Sequence, residues 1–264
     1  MSRVRYAKSL RDLERARQLG DEILESTVRS IRCVYETDSE VAQAVVPRPL
    51  EAMTDPMVHV SFSRVAMSIS PEISVEIGAA SFGVGVHYDG RQGIYPLTLP
   101  TTTEAAVIAG RERFGEPRKL ARIDFELRGE RVAARVERMG VEFLAVRAKH
   151  AEVLEPREQT EEIYCFKAFP GCQPDKGFDQ DPQLVRLEWH HRFERVVRLE
   201  GSLELVDSPF DPVADLPVRR MVSLEYTEGQ CRSSGRVLRP VPGDWLLPFL
   251  HQRNDDPGIE GLDA

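Results

Sequence analysis

The sequence predicts a mainly β (α+β) fold: one curved antiparallel sheet, closed or nearly closed, with a few peripheral helices. Three observations carry this expectation. From Met57 onward most segments are rich in β-branched residues and alternate in polarity, the period-2 signature of strands. The helical segments are few and short. No break in composition marks a linker, so residues 1–254 are expected to form a single domain, with residues 1–20 as an N-terminal helical arm and residues 255–264 as a flexible acidic tail.

The elements follow in order. Ser9–Leu19 carries leucines among dense charges and suggests a surface helix, and Val28–Tyr35 alternates into a strand. A short helix over Glu40–Val46 is stopped by Pro47 and Pro49. Strands are expected over Val58–Ile69, Ile73–Tyr88 and Gly93–Leu99, the last two joined at an Asp89-Gly90 hairpin signal. Gly78, Gly83 and Gly85 within one strand suggest a bulge, sharp curvature or a close approach. A helix opens after Thr101–Thr103 and ends at Gly115 and Pro117. Leu120–Leu127, Arg131–Met139 and Val141–Lys149 read as a meander, and Ile163–Phe169 and Leu184–Val206 as further strands. A proline- and aspartate-rich loop over Ser208–Pro217 precedes strands at Val218–Tyr226 and Ser234–Leu238. The interior of such a sheet is a natural place for a small-ligand cavity.

Composition narrows the function. The chain has 264 residues, 41% of them hydrophobic, and a formal net charge of −8. That sign disfavours nucleic acid, which selects a basic face. No apolar run approaches the ~18 residues of a membrane span. The N-terminus is charged throughout and lacks the apolar centre of a secretory signal, so a cytoplasmic location is expected. The four cysteines and six histidines form no metal-binding pattern. His190 and His191 are adjacent in a strand-like run and point to opposite faces. Neither a metal nor a cofactor is expected.

The segment Gly110–Ala121, GRERFGEPRKLA, is the most informative part of the chain. It resembles the GRE-x-x-G-x-P-K-K-L segment of the acetoacetate decarboxylase superfamily. Other landmarks agree in order: Tyr35 to Asp38 with Val45 to Glu51, the Tyr88–Tyr95 hairpin preceded by Glu76, Tyr164 to Pro170 with Lys167, and Asp215 to Val218. The resemblance implies a curved β-barrel or cone, a homo-oligomer, and a small carboxylic acid as substrate. It also implies an imine-forming lysine, activated by a low-dielectric pocket or a neighbouring cation. Here Arg118 stands where that lysine belongs, beside Lys119. A guanidinium is no practical Schiff-base nucleophile.

Three readings stay open at this point. Lysine-independent lyase or hydratase-type chemistry on a small keto or enoyl acid would use Arg118 to bind a carboxylate or polarise a carbonyl. A Schiff-base decarboxylase would use Lys119, at the cost of a change in strand phase. A non-catalytic protein would simply bind a small ligand. Glu76 is the candidate general acid or base, since a carboxylate in an apolar cavity can move protons near neutrality. Arg29, Tyr88 and Tyr95 are candidate substrate-binding residues. Arg111 and Glu112 read as a pin between helix and sheet.

Overall fold

A computed structural model describes residues 6–20, 25–70, 73–173 and 176–255. After an N-terminal helix α1 (Leu10–Gly20), strand β1 (Glu25–Glu36) leads through α2 (Ser39–Ala44) and β2 (Glu51–Ala52) to three long strands. These are β3 (Met57–Ser70), β4 (Ile73–Tyr88) and β5 (Arg91–Thr101). Helix α3 (Glu104–Phe114) and the three-residue strand β6 (Arg118–Leu120) follow. The meander is β7 (Arg122–Arg128), β8 (Arg131–Arg138) and β9 (Val141–Leu154). The chain ends with β10 (Arg157–Lys167), β11 (Gln183–Leu205), β12 (Arg220–Pro240) and a short helical segment, α4 (Leu250–Arg253). Among the described residues no helix is long and apolar enough to cross a membrane.

The strands close into a ring. Along one path the order is β10-β5-β4-β3-β1-β12-β11, and β10 also pairs with β11. Closure leaves those strands without free edges. Among the described residues, only the β5–β10 and β5–β6 contacts are parallel. Strands β9, β8 and β7 continue from β11 as an outer sheet. Their apolar residues, such as Val136, Phe143 and Leu144, share one core with Ile31, Tyr35, Phe62 and Phe82 on the outward face of the ring. The barrel is therefore double-walled, with its main hydrophobic core between the walls.

Alternation then sends the other half of the ring residues into the lumen. Arg32 on β1 opposes Ser61 on β3, which opposes Ser81 on β4. Arg32 also reaches Glu161 on β10, a strand on the far side of the ring, which fixes this face as the interior.

Two sequence expectations are corrected. Val218–Tyr226 and Ser234–Leu238 are parts of one strand, β12, whose middle carries Gly229, Gln230 and Arg232 and so lacks an apolar signal. Leu120–Leu127 is two strands, because β6 pairs with β5 while β7 joins the meander. At Gly83 the expected bulge and close approach are both present: the register shifts between Phe82 and Gly83, and a Cβ at Gly83 would stand 2.7 Å from the Tyr95 carbonyl oxygen. Asp255, the first residue of the expected acidic tail, ion-pairs with Lys119 and Arg138. The remainder of the tail lies outside the described residues.

Tyr35, fully buried between the walls, donates its hydroxyl to the Leu216 carbonyl at 2.8 Å and so ties β1 to the loop before β12. Tyr35→Phe leaves that carbonyl unpaired and is expected to cost about 1 kcal/mol in urea unfolding. An unchanged unfolding midpoint would contradict this tie.

Candidate active site

The site is set by the turn between α3 and β6. Gly115 caps α3 in the left-handed region at φ 76°, and a Cβ there would meet the Lys167 backbone nitrogen at 2.4 Å. Glycine is thus required both by conformation and by the approach of β10. Pro117 follows, and β6 pairs in parallel with β5, Leu99 opposite Arg118 and Pro100 opposite Lys119. With its register fixed, β6 sends Arg118 and Lys119 to opposite faces.

Arg118 lies at the α3 end of the lumen. Its Nε donates to Glu116 Oε2 at 2.8 Å and its Nη2 to Glu116 Oε1 at 3.2 Å. Burial opposes the charge on Arg118, but the Glu116 carboxylate outweighs it and the guanidinium pKa is raised. The pair packs on Gly110, where a Cβ would come within 2.3 Å of the Arg118 side chain. This contact explains the glycine of the GRE signature. Nearby, Cys165, Ile163 and Leu187 form a small lumen cluster with Ile94, Phe114 and Trp189. Burial first, and then Glu116, push the Cys165 thiol well above its ordinary range, so it is a poor nucleophile.

Lys119 points outward between the walls, with its side chain 2% exposed. Its Nζ donates to the Phe210 carbonyl at 2.7 Å and lies 3.3 Å from Asp211 Oδ1 and 2.8 Å from Asp255 Oδ1. Arg138 joins the same cluster, pairing with Asp211 and, at 2.7 Å, with Asp255 Oδ2. Asp211, itself fully buried, also accepts from the Thr98 hydroxyl at 2.9 Å.

Further along the lumen a second group of ionisable side chains converges. Arg32 pairs with Glu161, which also accepts from Gln159 Nε2 at 3.1 Å. His191 Nε2 stands 3.3 Å from Glu161 Oε2, yet neither ring nitrogen of this 7%-exposed histidine makes a well-directed hydrogen bond. His191 stacks on Phe193 at 5.0 Å between ring centroids, and Arg32 lies over the same ring at 5.5 Å. Burial would raise the Glu161 carboxyl, but Arg32 and then His191 outweigh it and hold it down at about 2. Burial lowers the His59 pKa, opposed by Glu161. Arg32, His59, Ser61, Ser81, Glu161 and Trp189 border a cavity of about 30 Å³. That is room for roughly two water molecules, or for the polar head of a small acid. A larger cavity lies outside the lumen, between the walls.

The structure brings the sequence candidates together only in part. Arg118 is on the lumen face and Lys119 is not. Glu76 is on the outward face of β4, 63% exposed and 3.9 Å from Arg64 Nε, rather than in an apolar cavity. Its strand parity matches Gly78, not Ser81, and places it outside. Arg29 is also outward, 57% exposed and 3.8 Å from Glu228. Tyr88 and Tyr95 pack between the walls, edge-on to Tyr164 and Phe166 at 5.7 and 5.9 Å, with Tyr95 on the larger cavity. Arg111 pins α3 not to a carboxylate but to the carbonyls of Arg118 and Arg253, at 3.3 and 3.1 Å. Glu112 is exposed. Arg32, Glu161 and His191 were not singled out from sequence. Alternation carried back from Ile163 and Cys165, the inward residues of β10, reaches Glu161.

The strands thus build a closed barrel with a buried cation–carboxylate array on its inner face. The profile of the acetoacetate decarboxylase family matches residues 16–239, and the chain belongs to that family. An acetoacetate decarboxylase of Burkholderia cenocepacia is 28% identical over 204 residues, covering 73% of this chain and 78% of the relative. Among solved structures, acetoacetate decarboxylase from Legionella pneumophila superposes with a TM-score of 0.68 at 18% identity, covering 82% of this chain and 88% of that one. The enduracididine biosynthesis enzyme MppR, complexed with pyruvate, gives 0.69 at 13% identity, covering 83% and 91%. At these identities the superpositions speak for the fold.

The electrostatics of Glu161 give a testable pH dependence. A carboxyl held below its ordinary value of 4.5 stabilises the fold fully above that pH, and the contribution is lost as pH falls toward about 2. Glu161→Gln is therefore expected to flatten the fall in unfolding free energy between about pH 4.5 and pH 2. Parallel curves for the two proteins would contradict the buried pair.

Proposed function

We propose that this protein is a lysine-independent member of its family, acting on a small keto or enoyl acid in the barrel lumen. The observation that carries the reading is the phase of β6: the lumen receives Arg118, and Lys119 turns into the wall. Glu116 occupies the Nε–Nη2 edge of the Arg118 guanidinium. The remaining edge can take a substrate carboxylate or polarise a carbonyl as negative charge develops on it. The fixed dipoles of a buried site make such stabilisation stronger than it is in water.

Proton transfer falls to His191. Its Nδ1 makes no hydrogen bond among the described residues, and its Nε2 stands 3.3 Å from the Glu161 carboxylate, which can share a proton with it. Arg32 keeps Glu161 ionised and covers the Phe193 face, so the lumen holds paired charges. Elimination or addition of water, or of carbon dioxide, next to a carbonyl needs one anion-stabilising cation and one proton donor, and the two groups supply these roles. The Lys119 imine alternative would require its nitrogen to leave Phe210, Asp211 and Asp255 and cross the strand. Homo-oligomeric assembly and a cytoplasmic site of action complete the proposal.

Arg118→Met tests it against a panel of small keto and enoyl acids. Turnover is expected to fall at least ~100-fold, the scale of losing one preorganised charge-stabilising group, when measured well below a thermal midpoint that itself falls because Glu116 is left buried without its partner. Unchanged turnover in a folded variant would refute the role of Arg118.

A further inference from the structure

We propose that the cavity between the two walls is a second ligand site, which takes a monocarboxylic acid with an apolar body. It measures about 310 Å³ and is lined mainly from the outward face of the sheet, with Cys165 of the lumen cluster and Gly115 and Pro117 of the β6 turn on its border. One wall is the outward face of β4, β5 and β10, with Phe82, Tyr95 and Phe166. The cover is the 211–216 loop and the chain from Leu246 to Arg253, with Leu216 and Phe249. A chamber of this size and lining suits an aliphatic or aromatic body.

The charge in the wall selects the head group. Arg253 faces the cavity and donates from Nη1 to the Phe166 carbonyl at 2.8 Å, but it pairs with no carboxylate among the described residues. Burial first, and the neighbouring Arg111 second, lower its guanidinium pKa, and among the described residues no carboxylate offsets its charge. The acids of the wall are already engaged. Asp211 is saturated by Thr98, Lys119 and Arg138, and Asp215 has a partner of its own. His251 is exposed, with Nδ1 3.1 Å from the Pro248 carbonyl, and adds no negative charge. A carboxylate entering the chamber therefore meets a fork of donors with one carbonyl on it, and supplies the missing counter-charge.

Calorimetric titration with octanoate and octanol tests the site. Octanoate is expected to bind at least tenfold tighter than octanol to the parent protein. Arg253→Met is expected to raise the octanoate Kd at least tenfold while leaving the octanol Kd within twofold, and Arg253→Lys to recover part of the difference. Retained octanol binding shows that the chamber is intact. Arg118→Met, which changes the lumen, is expected to leave both constants unaltered, so this site and the lumen reading can fail independently. Equal affinity for acid and alcohol, an octanoate Kd indifferent to Arg253→Met, or binding of neither probe would overturn the proposal.

Discussion

Adjacent residues of an extended strand point to opposite faces, and β6 offers only three residues in which to settle which face each takes. Its phase is fixed from both ends. Upstream, Gly115 turns left-handed against the backbone of Lys167, and Pro117 restricts the step into the strand. Downstream, the β5 register and the buried Lys119 cluster hold it. Slipping β6 by one residue would bury the Arg118 guanidinium among Asp211, Asp255 and Arg138 and leave Lys119 beside Glu116. The first exchange strands three charges in new company, at a cost of several kcal/mol. The same short strand thus presents Arg118 to the lumen and Lys119 to the buried network between the walls.

The two faces differ in how they handle charge. In the lumen, Arg118 with Glu116 and Arg32 with Glu161 form matched pairs whose second guanidinium edges remain available. Between the walls, Lys119, Arg138, Asp211 and Asp255 form a closed network with two cations and two anions, joining β6, β8, the loop before β12 and the C-terminal segment. Breaking one member of such a network costs more than its net contribution, because the partner is left buried and unpaired. This network gives Lys119 a structural role beside Arg118.

Much of the fold was legible because the long strands alternate cleanly and their turns carry asparagine-like or glycine signals, as at Asp89-Gly90 and Gly140. Strand β12 was read as two pieces because its middle, around Gly229 to Ser233, is small and polar in composition, although Gly229 and Cys231 are buried there and β1 and β11 pair with it. The site was less legible. Arg118 was visible through its motif, but the lumen array of Arg32, Glu161 and His191 depends on ring closure, which brings β1 to β10 across more than a hundred residues. Glu76 and Arg29 have the right residue types on the wrong strand face. Arg253 belongs to a segment whose sequence looks like an ordinary polar terminus, and only the packing of Phe249 and its neighbours over the second cavity gives it significance.

The central claim is that no lysine of this chain forms an imine with its substrate. Borohydride reduction in the presence of a β-keto acid, followed by peptide mass mapping, tests it most directly. The expected result is an unmodified Lys119 peptide and no stable adduct elsewhere, under conditions that trap a lysine-dependent acetoacetate decarboxylase. A reduced adduct on Lys119 would contradict the account, since its nitrogen would have to leave the wall and reach the lumen.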